Sequence, residues 1–592
     1  MGTRGYTVYR YKKYYFSAYR HCDSYPECLG EEVLRQARSK RYLETLKATL
    51  QEKISEFEGM KSDAERARFL SDQDETDSSE LYMSTTPQGC DIMIEWVYEI
   101  DMDRNVFHVN GVPFFSLDNL PPRSVALERL ISTDSYGNEA CKDPKYRFEA
   151  IQPPAFEETA LSAYRQRLSN GQSQVPYTAM LDLSEHTTHG ETLRTRYLQT
   201  IVGYSMDRSM AFAAIQEFRL AKDRSEITYK AWQEAFAFAS AAFAPPVYFS
   251  FWEGPQGKRR LPERKDVSWV RGDVFIHITP HLADENHMQA AIARVVEDVL
   301  GQDKEGVVFG VLFSFLHCVI VRIDLLAGGM FTHTAPMPFV PSWFAKEPST
   351  LGITALSRFG YRRDPDLFRK ALAFHSDAKA TPGAADEHVG EAGISASAPA
   401  EPAPWVPNPV DSSCSRDHCD AQAAGSKIPL EIFYRIALSL PSIDSLLEFG
   451  LVAKICQEAA EMVLQCPHID SWRLVGVDDT YALAGAETGA CVQPEEEDDD
   501  DDATDSDTSS SGPGPVDSPN LTTPQLPKPE LQCTKFLAIR GDGHAELWLG
   551  KRRHGKKPAY KTCLRVFPTA RSRKHRGVPL SVVVQPDFRE YG

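Results

Sequence analysis

The chain has 592 residues, of which 42% are hydrophobic and 10% aromatic, and its formal net charge is −18. That length suits two to four domains with a sizeable buried core. The scattered twelve cysteines and an N-terminal segment without an apolar h-region argue against a disulfide scaffold and a secretory signal. We therefore expect reduced thiols and a cytoplasmic and/or nuclear location, and the acidity argues weakly against nucleic acid as the main partner.

The first elements in the chain read as strands and a helix. Two β-prone runs, 6–11 and 14–20, flank Lys12-Lys13 and predict a hairpin. A helical stretch is expected over 31–57. A second strand pair is expected over 92–100 and 106–109, with the turn at 101–105.

The middle of the chain changes character twice. Residues 156–243 favour helices, and strand character returns at 274–278 and 307–323 around a helix over 286–300. The apolar run from Val307 to Val321 is too short for a membrane span, so it predicts a pair of buried strands and no membrane partner. Because strands and helices do not alternate regularly, residues 1–375 predict a large mixed α+β domain.

Two segments are too poor in large apolar residues to offset the entropy of folding. The first covers 376–425, and the second covers 476–531 and includes the acidic run Glu495–Asp502. We expect both to be disordered linkers. They leave a small helical module at 426–475 and a small, basic, β-rich C-terminal domain at 532–592.

The module at 426–475 predicts three short helices. Pro429 suits a first helical turn, and Glu431 faces the positive end of the helix dipole. Apolar positions then recur along each predicted helix. For the three helices these are Ile432, Phe433, Ile436 and Leu440, then Ile443, Leu446 and Leu447, then Ile455, Ala459, Met462 and Val463. So small a bundle gains stability from a partner surface.

This pattern resembles an F-box: an apolar residue and Pro-x-Glu-Ile, a short second helix near an Asp, and a late Trp. The matching positions are Ile428, Pro429, Glu431, Ile432, Ile436, Leu440, Asp444, Leu446, Val452, Lys454 and Trp472. Ala453 and Cys456 depart from the usual Cys and Trp. The resemblance implies docking to the Skp-type adaptor of a cullin-based ubiquitin ligase. The partner-binding residues it implies are Ile428, Pro429, Glu431, Ile432, Ile436, Leu440, Leu446 and Val452.

The N-terminal part is similar to an uncharacterised family common in fungal proteins. The segments that carry this likeness are 1–5, 19–30, 94–101 and 106–117. That family brings no established activity, so this resemblance implies a fold and no function.

The sequence suggests no catalytic residue, cofactor site or metal site. An N-terminal nucleophile at Thr3 would need an extra cleavage. His186 and His189 lack a third ligand, and His277 and His281 flank a turn at Pro280. Cys414, His418 and Cys419 lack a second ligand pair. No P-loop, dinucleotide-binding glycine motif, nucleophile elbow or HExxH motif is present.

The basic C-terminal domain carries its charge in two clusters: Lys551, Arg552, Arg553, Lys556 and Lys557, then Arg571, Arg573, Lys574 and Arg576. They are typical of a nucleic-acid contact or a nuclear-import signal, but a solvated loop that the acidic run can neutralise is the preferred interpretation.

Three hypotheses follow. In the first, the chain is a non-catalytic F-box-like adaptor that brings an unidentified target protein to a ubiquitin ligase. In the second, residues 1–375 form an uncharacterised enzyme or ligand-binding domain with a helical appendage. In the third, the basic end associates with nucleic acid.

Overall fold

The computed structural model describes most of the chain up to residue 380 and several segments after it. The described residues are 3–71, 81–87, 93–133, 139–154, 158–168, 174–206, 209–244, 247–248, 264–302, 304–342, 345, 349–362, 364, 367–380, 428–469, 472–478, 534–540, 543–549, 551–554, 559–568 and 581–583. The protein is mixed α+β, as the sequence predicts.

The N-terminal region is built on a six-stranded sheet in the order β3-β2-β1-β4-β5-β6. Its strands are β1 (Gly5–Tyr11), β2 (Tyr14–Arg20), β3 (Tyr82–Ser84), β4 (Trp96–Asp101), β5 (Val106–Val109) and β6 (Val112–Ser116). Both predicted strand pairs are confirmed: β1 pairs with β2 and β4 with β5, each antiparallel. Lys12 and Lys13 have φ of 50° and 69°, which lets two residues close the first hairpin tightly.

One face of this first sheet is covered by helices. They are α1 (Glu31–Ala37), α2 (Lys40–Glu58) and the more exposed α3 (Asp63–Ser71). Leu46, Leu50, Ile54 and Phe57 recur at helical spacing along α2 and pack into the core below the sheet. A small hairpin of β7 (Ile131–Thr133) and β8 (Glu139–Cys141) follows.

The middle region places helices on both faces of a second sheet, in the order β10-β11-β12-β13-β14 with β15 also on β13. Its strands are β10 (Ser268–Arg271), β11 (Val274–Ile278), β12 (Val307–Phe313), β13 (His317–Asp324), β14 (Met330–His333) and β15 (Met337–Pro338). The helices are α4 (Glu158–Gln166), α5 (Tyr177–Met180), α6 (His189–Ser205), α7 (Ser209–Leu220), α8 (Tyr229–Ala241), α9 (Glu285–Leu300) and α10 (Leu351–Tyr361).

The predicted pair of buried strands, β12 and β13, lies at the centre of this second sheet. Along β12, Val311 and Phe313 face the core formed with α8 and α10, whereas Val308 and Leu312 face the core formed with α9. Covering both faces explains why the run is apolar throughout and does not alternate.

The C-terminal part combines helices with a third sheet. The helices are α11 (Leu367–Ala380), α12 (Leu430–Ser439), α13 (Ile443–Gly450) and α14 (Lys454–Leu464). The sheet has the order β20-β21-β19-β18-β17-β16-β9, with β22 on β21. Its strands are β9 (Val247–Tyr248), β16 (His468–Ile469), β17 (Trp472–Asp478), β18 (Thr534–Arg540), β19 (Gly543–Leu549), β20 (Lys551–His554), β21 (Ala559–Pro568) and β22 (Ser581–Val583).

This third sheet joins distant parts of the sequence. β9 belongs to the middle region and pairs in parallel with β16, while β17 pairs with β18 across residues 479–533. The β-rich end predicted from the sequence is therefore part of a sheet that begins near residue 247.

Candidate docking face and buried polar cluster

The three helices predicted at 426–475 are present as α12, α13 and α14. Pro429 occupies the N-cap position of α12, where its missing N–H costs nothing. The Ser442 hydroxyl caps α13 by accepting the Ser445 backbone N–H at 3.1 Å. Proline and serine at these positions explain why the chain starts a new helix after each short turn.

A fourth helix, α11, completes the core of this helical module. Leu367, Phe368 and Ala371 on α11 share one apolar cluster with the inward residues of the other three helices. Those residues are Ala437, Ile443, Leu446, Leu447, Ala459, Ala460, Val463 and Leu464. Gly450 ends α13 against the Phe368 ring, and a Cβ there would lie 2.1 Å from it. The module is thus packed onto the region that precedes it.

An apolar stripe on α12 remains exposed. Ile428, Ile432 and Ile436 follow one another at four-residue steps, and their exposed fractions are 49%, 48% and 42%. Ile428 precedes the helix by two residues, and the four-residue spacing puts Ile432 and Ile436 on one side of α12. Leu451 and Val452, which follow α13, are exposed as well, Val452 by 76%. We call Ile428, Ile432, Ile436, Leu451 and Val452 the docking face.

Most residues that the F-box resemblance implies for partner binding are accessible. Ile428, Pro429, Glu431, Ile432, Ile436 and Val452 are exposed. Leu440 is half-buried and Leu446 is buried in the core of the module, so these two support the helices from inside.

Three details of the predicted module need correction. Ile432 and Ile436 do not share the inward face with Phe433 and Leu440, because a helix of ten residues presents two distinct apolar stripes here. Met462 is also exposed. Trp472 begins strand β17 and lies on no helix of the module.

The helix α11 continues to Ala380, five residues past the predicted domain end at 375, and β17 runs to Asp478, three residues into the second predicted linker. The other residues of the two predicted linkers, including the acidic run at 495–502, lie outside the described residues.

A second notable feature is a polar cluster inside the first sheet. Arg10 on β1, Glu99 and Asp101 on β4, and His108 on β5 point away from α1 and α2. In register, Arg10 lies beside Asp101 and Glu99 lies opposite His108. Glu99, Asp101 and His108 are exposed by only 8%, 0% and 4%. We call these four residues the polar cluster.

Asp101 is the centre of the polar cluster. Its Oδ2 accepts from Arg10 at 2.9 Å and lies 3.5 Å from an Arg104 nitrogen, and its Oδ1 accepts the backbone N–H groups of Asp103 and Arg104. His108 Nε2 lies 3.9 Å from the same Oδ2 and has no hydrogen-bond partner among the described residues. Arg10 and Arg104 offset the carboxylate charge in part.

Burial determines the protonation of the polar cluster. Desolvation, together with the neighbouring Asp101 charge, raises the pKa of Glu99 to about 8, and desolvation raises the pKa of Asp101 to about 6 despite Arg10. Desolvation lowers the pKa of His108 to about 3, so the imidazole is neutral. Near pH 7 Glu99 therefore holds a proton and Asp101 carries the charge.

No sequence pattern singles out this polar cluster. Alternation along β4 and β5 marks Glu99 and His108 as polar positions, which ordinarily face solvent, and Asp101 falls in the predicted turn at 101–105. They are buried because residues after the first sheet cover this face: Val106 packs with Phe148 and Leu220. Only the contact between distant segments reveals the cluster.

The histidines considered from the sequence have ordinary structural partners. His189 begins α6 and its Nε2 donates to the Val475 carbonyl at 2.7 Å. His277 Nδ1 donates to the Asp266 carbonyl at 2.6 Å, and His281 Nε2 donates to the Lys222 carbonyl at 3.0 Å. His186 is exposed beside α6.

The remaining sequence candidates offer less. Thr3 is buried, with its carbonyl accepting the Ser24 backbone N–H at 3.2 Å. Cys414, His418 and Cys419 lie outside the described residues, as do Lys556, Lys557 and the second basic cluster; Lys551–His554 form β20.

Within the described ranges, no helix combines the length and apolar character needed to cross a membrane. Comparison of the chain with protein-family models, with curated proteins and with solved structures found no match in any of the three.

Proposed function

We propose that the chain is a non-catalytic adaptor that binds a Skp-type protein of a cullin-based ubiquitin ligase through the docking face on α12. One observation carries the proposal. The isoleucines at the positions that the F-box resemblance assigns to adaptor contact are exposed, Ile432 and Ile436 on the folded helix α12 and Ile428 two residues before it.

The energetics favour covering this stripe. Burying a fully exposed isoleucine contributes about 1.5–3 kcal/mol, so three half-exposed ones contribute roughly 3 kcal/mol together when a partner covers them. No segment among the described residues covers them. An amphipathic helix that lays an apolar edge into a groove is a common mode of recognition between proteins.

The rest of the chain supplies a firm attachment for a target-binding surface. The Arg540 side chain donates to the Pro441 carbonyl at 3.2 Å, which joins β18 to the turn between α12 and α13. Thr200 on α6 donates to Thr534 on β18 at 3.1 Å. The Arg540 bond and the packing of α11 hold the helical module against its neighbours, and the Thr200 bond joins the third sheet to α6. A bound target would therefore keep a defined orientation to the ligase.

The test is direct binding of purified full-length protein to a Skp-type adaptor, measured by calorimetry. We expect micromolar or tighter binding by the wild type. Ile432→Asp should abolish it, because the interface would bury an unpaired carboxylate. Ile432→Leu should retain it.

The matched control is Leu326→Asp, which places the same charge on another exposed apolar residue, far along the chain and outside the module. It should bind like the wild type, and circular dichroism should report the same fold for all variants. Absence of wild-type binding at micromolar concentration, or equal binding by Ile432→Asp, would rule out the proposed function.

A further inference from the structure

The most unusual arrangement outside the docking face is the buried imidazole of His108. Its Nε2 is enclosed, has no hydrogen-bond partner among the described residues, and lies 3.9 Å from a carboxylate oxygen of Asp101. A neutral imidazole has one N–H and one lone pair, and in the tautomer with the lone pair on Nε2 this nitrogen can ligate a metal ion.

In that tautomer two acceptors, Nε2 and the Asp101 carboxylate oxygen, face each other. A lone pair and a carboxylate oxygen repel one another unless a proton or a cation lies between them. A buried acceptor without a hydrogen-bond partner lowers the stability of the fold by about 1–3 kcal/mol. No hydrogen bond among the described residues offsets that loss at this nitrogen.

A third ligand atom comes from Glu99, directly opposite His108 in the antiparallel β4–β5 pair. The ligand atoms of Glu99, Asp101 and His108 all lie within 4.8 Å of one another. Atoms bound about 2.1 Å from one metal ion are separated by roughly 3–4.3 Å. A movement of about half an ångström, which rotation of the Glu99 side chain can supply, would close the site.

We propose that Glu99, Asp101 and His108 bind a divalent first-row transition-metal ion that fastens β4 to β5 beneath the covering residues. One imidazole nitrogen and two carboxylate oxygens suit Zn²⁺ or Mn²⁺ as ligands. Mg²⁺ prefers oxygen ligands throughout, so the imidazole argues against a dedicated Mg²⁺ site. The enclosure of all three side chains fits a structural ion and leaves little room for a substrate.

The positive charges beside Asp101 act against a cation. Arg10 Nη1 lies 2.9 Å and Arg104 Nη1 3.5 Å from Oδ2. Each arginine weakens metal binding through its charge. Removing an arginine should therefore tighten metal binding, whereas removing a ligand should weaken it. The Arg104–Asp101 pair has the longer N···O distance, and Arg104 is more exposed than Arg10. Arg104 can therefore be replaced with little loss of stability.

The test is Zn²⁺ binding by the full-length, chelator-treated protein, measured by calorimetry and by metal content after desalting, with Mg²⁺ in a parallel titration. We expect one Zn²⁺ site that Glu99→Gln and His108→Gln weaken at least ~10-fold by removing a ligand. Arg104→Met should tighten the same site ~3–10-fold because a repelling charge is gone. Mg²⁺ should not compete.

The control is His277→Gln, which removes a buried imidazole elsewhere and should leave the number of bound ions and their affinity unchanged. If His108→Gln does not fold, the other two variants test the proposal. Glu99→Gln preserves the shape of the side chain, and Arg104→Met keeps all three ligands. Unchanged Zn²⁺ binding in Glu99→Gln, tightening absent in Arg104→Met, or no Zn²⁺ binding by the wild type would overturn the proposal.

Discussion

The polar cluster of the first sheet and the docking face of α12 reverse the usual distribution of residue types in opposite ways. The first sheet buries Glu99, Asp101 and His108, whereas the first part of the helical module exposes Ile428, Ile432 and Ile436. The buried charges have partners within the chain, since Asp101 is bonded to Arg10 and to the backbone. Among the described residues nothing covers the exposed isoleucines. A buried polar group indicates a partner within the chain or an ion that the chain encloses. An exposed apolar stripe indicates a binding partner that is another molecule.

The largest expected effect comes from breaking a buried pair in the first sheet. Arg10→Met should destabilise the protein by about 3–5 kcal/mol, because Asp101 would remain fully buried without its closest counter-charge. Urea unfolding of the full chain measures the change.

The matched control is Arg20→Met in the neighbouring strand. The Arg20–Glu32 pair has an N···O distance of 3.1 Å, close to the 2.9 Å of the Arg10–Asp101 pair, but both Arg20 and Glu32 are substantially exposed. Its loss should cost less than about 1 kcal/mol. Equal losses from the two substitutions would mean that burial does not set the strength of the Arg10–Asp101 pair.

The second prediction separates the two apolar stripes of the helical module. Leu446→Ala should cost about 2–5 kcal/mol, because it leaves a cavity among α11, α13 and α14. Ile432→Ala should cost less than about 1 kcal/mol, because half of this side chain already faces water.

Thermal unfolding compares the two variants at equal concentration. Adaptor binding should show the reverse order, with Ile432→Ala weakened and Leu446→Ala retained wherever the protein remains folded. A large stability loss in Ile432→Ala would place this residue in the core and remove the distinction between the stripes.

The third prediction concerns the attachment of the module to α11. Gly450→Ala should destabilise by about 1–3 kcal/mol, because the added methyl would overlap the Phe368 ring that α11 presents to α13. Gly272→Ala is the matched control, since a Cβ there meets no atom within 4 Å, and it should change stability by less than about 0.5 kcal/mol. Unfolding measured by denaturant titration distinguishes them, and a neutral Gly450→Ala would mean that α11 and α13 can separate freely.

Local elements follow from the sequence where short-range periodicity determines them. The hairpin at Lys12-Lys13, the strands β12 and β13, and the three helices after Pro429 depend on residues a few positions apart, and the structure contains each of them. The division of α12 into an inward and an outward stripe was not predictable, because apolar residues lie on both sides of the helix and only packing against α14 selects one side.

The polar cluster illustrates the limit set by long-range contacts. Arg10 and Asp101 are separated by 91 positions, and their approach depends on the parallel pairing of β1 with β4. A Glu or His at an alternating strand position predicts a solvent-facing side chain until the covering residues 148–151 and 220 are known. The pairing of β9 with β16 was beyond prediction for the same reason.

The smallest expected effect tests a buried neutral group in the second sheet. His277 is buried on β11, and desolvation lowers the pKa of its imidazole to about 3. In the unfolded chain the pKa is near 6.5. As pH falls below 6.5 the unfolded chain takes up a proton that the folded chain refuses, so this histidine makes the protein less stable with falling pH.

Between pH 6.5 and 5.5 that contribution should amount to about 1 kcal/mol. His277→Gln can still donate toward the Asp266 carbonyl but does not titrate, so the wild type should lose about 1 kcal/mol relative to the variant over this interval. Taking the difference between the two proteins cancels the other titrating groups, including Glu99, whose raised pKa acts in the opposite direction. Between pH 7.5 and 8.5 the imidazole is neutral in both states, and the difference should stay constant. Parallel stability curves from pH 7.5 down to 5.5 would show that the ring accepts a proton in the folded protein, and therefore that water or an anionic group reaches β11 from the side of Asp266.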